Sequence, residues 1–206
     1  MHRHAPGLAF IFVVALAGCG GSGMSSPPAT TTATPTKPTT STAGSGVSPL
    51  QAEATAAAAG DIPDNQVFLT FHNTRTGYSL KYPEGWAQRG SSAALTFRDK
   101  NNIVRVVVMK GAALDSALVR RQLTALKNAT IKSGPQQVTL SGSPALKVVY
   151  TTQSAPNAVT GKRVTLVVDR YYLSHAGRRA IVDLGTPVGV DNVDAYRLMI
   201  QSFHWR

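Results

Sequence analysis

A chain of 206 residues with 43% apolar side chains is long enough for one packed domain plus an extension. Its single cysteine, Cys19, excludes a disulfide within the chain and thiol chemistry anywhere after that position. Charge is uneven: from residue 65 onward 19 Lys and Arg face seven Asp and Glu, an excess of +12 that favours anionic surfaces and ligands.

The chain starts with a short cationic stretch (His2, Arg3, His4) and an apolar run over residues 8–16. That run is shorter than the ~20 residues a membrane-spanning helix needs, and it has the length and flanks of a secretory h-region. Leu16-Ala17-Gly18-Cys19 follows, and these four residues resemble the lipobox of bacterial lipoproteins. The resemblance implies that residues 1–18 are a signal peptide, that cleavage leaves Cys19 first, and that its acylated thiol attaches the chain to the extracytoplasmic face of the cell membrane. Export removes nucleic acid as a partner for the basic domain and leaves anionic lipid or wall polymer.

Residues 19–64 are rich in Thr, Pro, Ala, Gly and Ser without apolar periodicity, so nothing can be buried there to offset chain entropy. They read as a disordered tether, whose ~45 residues would span roughly 35–40 Å. Its glycines lack the strand and the Gly-Lys-Ser/Thr of a phosphate-binding loop.

The domain, residues 65–206, opens with strands over 67–71 and 78–82, joined by the polar turn at 73–77. Pro83 and Gly85 end the second. Strands 94–98 and 103–110 form a hairpin across residues 99–102. A helix over 115–128 is capped by Asp115, with Leu118, Val119, Leu123, Ala125 and Leu126 on one stripe. Gly134-Pro135 breaks the chain after it. Further strands cover 138–140, 145–152, 163–174 and 179–184. A last helix begins at Asp191, with Asp194 favoured in its first turn and Val193, Tyr196, Ile200 and Phe203 on one side. Strands, helix, strands, helix with hairpin-length links predict an α+β fold with a mainly antiparallel β-sheet flanked by helices.

Thr76-Gly77-Tyr78-Ser79-Leu80-Lys81-Tyr82-Pro83-Glu84-Gly85-Trp86 resembles the opening signature of the PsbP-like family. The segment from Leu140 to Tyr150, with its Gly142-Ser143-Pro144-Ala145 turn, is similar to the family's second signature, and the closing helix before Ser202-Phe203 fits as well. The resemblance covers about residues 66–206. It implies an α/β/α sandwich and, since the family includes a photosynthetic oxygen-evolving-complex subunit, a yeast Ran-binding protein and actinobacterial lipoproteins, a role in binding proteins rather than catalysis. It carries over no site residue.

The catalytic inventory is thin. Asp169 and His175 lie six residues apart on one predicted strand, about 20 Å from each other, so they cannot pair. Ser141-Gly142-Ser143 lacks the frame of a nucleophile elbow. His72, His175 and His204 are scattered, and Glu84, the domain's one glutamate, sits in a turn. The expectation is no enzyme, no metal and no cofactor. Trp86, Tyr171, Tyr172 and Trp205 read as core or sheet-face aromatics. The basic pairs Arg120-Arg121 and Arg178-Arg179 are the candidate contacts with an anionic surface. Two functional classes follow: an accessory module for an envelope protein complex, and a carrier holding an apolar ligand or lipid between sheet and helix.

Overall fold

Alternation of large and polar side chains carries most of the domain into strands, and short turns fold each strand onto a neighbour. The computed structural model describes residues 59–113 and 115–206. The predicted signal peptide, Cys19 and the tether as far as residue 58 lie outside the described residues. In chain order the elements are β1 (Phe68–Asn73), β2 (Tyr78–Pro83), β3 (Ala87–Ser91), β4 (Ala94–Asp99), β5 (Asn102–Lys110), α1 (Ser116–Leu123), β6 (Ala129–Leu140), β7 (Ser143–Gln153), β8 (Thr165–His175), β9 (Arg178–Pro187), α2 (Val193–Gln201) and β10 (His204–Trp205).

One antiparallel sheet has the order β3-β4-β5-β9-β8-β7-β6, and a smaller one the order β1-β2-β10. The fold is the expected α+β class. Among the described residues no helix is long and apolar enough to cross a membrane.

Residues opposite each other in register share a face, so the pairing sorts the large sheet into two sides. One side carries Leu95, Phe97, Val104, Val106, Leu173, Val182 and Leu184, buried beneath α2 and the small sheet. Phe97 is the pivot: Phe71 meets it edge-on at 5.5 Å and Tyr82 stacks on it at 4.4 Å. Each such side chain contributes about 1.5–3 kcal/mol through burial. The other side carries Leu146, Val148 and Tyr172, which pack against Val119 and Leu123 of α1. One helix on each side gives the layered sandwich.

Three expectations change. The first helix ends at Leu123 rather than Asn128, because Thr124 closes it and Asn128 turns through φ 58°. Its cap is as expected, Asp115 accepting from the Leu118 N–H at 2.7 Å. Gly134-Pro135 does not break the chain. β6 is an edge strand and absorbs the pair as an irregularity, its register with β7 shifting between Ile131 and Gln136. An edge tolerates a proline that lacks a ladder donor. On α2 the buried residues are Tyr196, Met199 and Ile200, followed by Phe203, while Val193 is 61% exposed. Two strands carried no apolar alternation to announce them: β3, exposed throughout, and the two-residue β10.

Packing also reaches back to residues 60–62. Ile62 joins the core, and its N–H donates to the buried Asn192 Oδ1 at 2.8 Å. The Asn192 amide donates to Thr186 Oγ1 at 2.8 Å and to Asn102 Oδ1 at 3.1 Å, and both asparagine amides donate to the Gly60 carbonyl. This network joins the start of the described domain, β5, β9 and the start of α2.

Candidate functional site

β7 and β8 are laid down in a register that sets Lys147 opposite Tyr171 and Val149 opposite Asp169, all on the side facing α2. Lys147 Nζ lies 2.6 Å from Asp169 Oδ2 and 5.4 Å from the centre of the Tyr171 ring. α2 leaves Lys147 and Asp169 partly exposed. It is pinned nearer β9, where the Tyr196 hydroxyl donates to the Gly185 carbonyl at 2.6 Å. The offset leaves a cleft of about 370 Å³ between the helix and β6–β9. Val138, Leu140, Val167 and Ile200 supply apolar walls, Lys147 and Asp169 a charged pair, and Val193 and Arg197 line it from the helix. Arg197 pairs with Asp194 at 3.0 Å and remains mostly exposed.

The electrostatics of the cleft are fixed. Burial lowers the Lys147 pKa, but the hydrogen bond and charge of Asp169, helped by Tyr171, outweigh it, and the net shift is upward. Burial, reinforced by Asp169, raises the Tyr171 phenol. An ammonium and a phenol held protonated are poorly placed to act as bases near neutrality. What they offer is a stationary charge pair in an apolar trough, which orients a bound group.

The residues singled out in the sequence are not brought together. Arg178 donates from Nη1 to the Thr76 carbonyl at 2.9 Å and from Nη2 to the Arg206 carbonyl at 3.1 Å, with its guanidinium 5.0 Å over the Trp205 ring. It clamps the end of the chain to the β1–β2 turn. Arg179, the next residue on a strand, points to the opposite side. It is half-buried beside Gly111, and its Nε has no hydrogen-bond partner among the described residues. Arg120 and Arg121 are exposed in the last turn of α1. The Ser141 hydroxyl donates to the Gln201 carbonyl, tying the β6–β7 turn to α2. His72 is exposed, His175 stacks near Trp205 at 6.4 Å, and His204 Nδ1 lies 3.0 Å from the Ser202 carbonyl. Among the described residues no group of His, Cys, Asp or Glu is arranged to hold a metal. Trp86, Tyr171 and Tyr172 are buried.

On the other side of the sheet a charged cluster escaped the sequence reading. Arg170, 8% exposed, donates from Nε to Asp183 Oδ1 at 2.6 Å and from Nη2 to Asp183 Oδ2 at 2.9 Å. Its Nη2 also reaches the Tyr150 hydroxyl at 3.2 Å. Charged residues inside apolar strands were the available signal.

No family model and no curated protein matches the chain. Solved structures do. Cyanobacterial PsbP from Synechocystis matches at 14% identity and TM-score 0.47, over 72% of this chain and 99% of that one. The Saccharomyces cerevisiae Ran-binding protein Mog1p matches at 11% and 0.40, over 68% and 96%. LpqN of Mycobacterium tuberculosis, described as involved in cell envelope biogenesis, matches at 16% and 0.39, over 68% and 91%. The chain spans 48% of the length of a further match, from Bacteroides thetaiotaomicron.

Proposed function

We propose that the protein is a lipid-anchored extracytoplasmic lipoprotein whose domain is a non-catalytic binding module for an envelope protein complex. The cleft between α2 and the sheet carries this reading: apolar walls that include Val138 and Leu140 of the edge strand β6, and one fixed charge pair. An extended segment of a partner can enter there and pair with the edge strand β6 through its backbone. The location rests on Leu16-Ala17-Gly18-Cys19. Cys19→Ala removes the acylated thiol and should release the protein from the membrane fraction or leave it uncleaved. Equal partitioning of wild type and variant would contradict the anchor.

The apolar walls also favour a second reading, a carrier whose cargo is an apolar ligand or lipid. One experiment separates the two. Val193 is exposed on the helix beside the cleft, so Val193→Glu should leave folding intact while placing a charge at the entrance. Wild type purified from envelope extract should retain a partner protein that the variant loses at least tenfold. An unchanged partner set, with a stoichiometric lipid extracted from wild type alone, supports the carrier instead.

A further inference from the structure

Over β3–β5 the large sheet is buried on one side and only partly covered on the other. Leu95, Phe97, Val104 and Val106 point into the core. On the reverse side Arg89 and Arg105 are exposed, and Thr96, Arg98, Val107 and Met109 are half-buried. The helix on that side, α1, packs on Leu146, Val148 and Tyr172 of β7 and β8 instead.

The register gathers the three arginines. Thr96 lies opposite Arg89 on β3 and opposite Arg105 on β5, and Arg98 stands one same-side position along from Thr96. Arg98 is therefore a diagonal neighbour of both other arginines, at about 7–8 Å. Among the described residues none of the three forms an ion pair. Arg105 does face Asp183 across β5 and β9, but Arg170 holds both oxygens of that carboxylate. Next to Arg89 and Arg98 is a shallow hollow of about 480 Å³, with Lys100 on its margin and Asp99 as its one carboxylate. Arg98 Nε donates to the Lys100 carbonyl, which holds its guanidinium toward this end of the sheet.

We propose that this side of the sheet docks on an anionic phospholipid surface. Guanidiniums spaced over a broad exposed face, with partly exposed Val107 and Met109 beside them, suit headgroup phosphates with acyl chains behind them. The proposal rests on the extracytoplasmic location argued above. It also orients the domain: the cleft at α2 lies on the opposite side of the sheet and would face away from the membrane.

The test uses the full chain carrying Cys19→Ala, so that no acyl group masks weak attachment. Co-sedimentation is measured with vesicles of two parts phosphatidylcholine to one part phosphatidylglycerol, against vesicles of phosphatidylcholine alone. Arg89→Gln/Arg98→Gln/Arg105→Gln should weaken binding to the anionic vesicles by roughly a hundredfold, with salt reducing wild-type binding in the same direction. Because Arg98 also bonds Lys100, Arg89→Gln/Arg105→Gln is measured beside it and should lose about thirtyfold. Arg75→Gln/Lys81→Gln/Arg197→Gln removes as much charge from the small sheet and α2, on the opposite side, and should cost only a few-fold. Equal losses in the two triple variants would reduce the effect to net charge and overturn the proposal. So would wild type that ignores anionic vesicles at low salt, or that binds soluble polyanion but not vesicles. Failure of the anchor would show in cell fractionation and leave the vesicle result standing.

Discussion

Arg170 and Asp183 are opposite one another because the turn at Ala176-Gly177 sets the register of β8 on β9. The pair is bidentate and buried, so removing one partner leaves an uncompensated charge at a cost of about 3–5 kcal/mol. Its neighbour Tyr150 reports on the site. Burial first, then the Asp183 charge, push the phenol up to about 12, with Arg170 pulling the other way. The unfolded chain ionises near pH 10. Between about 10 and 12 the folded state therefore binds more protons than the unfolded one, so stability is complete below pH 10 and is lost as pH rises through 12. Equilibrium unfolding across that window should show the fall, and Tyr150→Phe should make it shallower. An identical slope in the variant would place the alkaline sensitivity elsewhere. This pair was legible in principle, since a two-residue turn fixes every cross-strand partner beyond it. The Asn102–Asn192 contact was not, because it joins residues 90 apart through tertiary packing alone.

At the scale of elements, alternation and turn residues made β2, β4, β5, β7, β8 and β9 legible, and the Asp115 cap marked the start of α1. β3 stayed hidden because an exposed edge strand has no inward face to reveal it. The first half of β6 is hidden in the sequence because a Gly-Pro pair is a local break signal that an edge strand can absorb. The absorption depends on Gly134, at φ 99°, where an added Cβ would stand 2.5 Å from the Lys147 carbonyl oxygen and 2.9 Å from Val148 Cα. Gly134→Ala should therefore destabilise by about 3 kcal/mol in equilibrium unfolding. Gly142→Ala, also at positive φ but with nothing within 4 Å, should cost only about 1–2 kcal/mol. Equal costs would mean that the close approach of β6 to β7 is not what restricts the site to glycine.

At the scale of the whole molecule, the sheet divides the labour. One side is packed by α2 and the small sheet and keeps an open cleft at β6–β9; the other is covered by α1 at one end and basic at the other. The sequence showed the basic excess but not its placement. Adjacent basic pairs such as Arg178-Arg179 are conspicuous in a sequence, yet neighbours on a strand point apart, whereas Arg89, Arg98 and Arg105 converge only through register. The cleft was illegible for a related reason: it exists because Tyr196 pins α2 toward β9, a matter of helix placement that no periodicity encodes. Its use as a binding site is the central claim, and photo-crosslinking in the envelope tests it most directly. A photoreactive residue at position 193, beside the cleft, should capture one envelope protein, while the same residue at position 120 on α1 should not. Adducts that are the same from both positions, or none from position 193, would contradict the account.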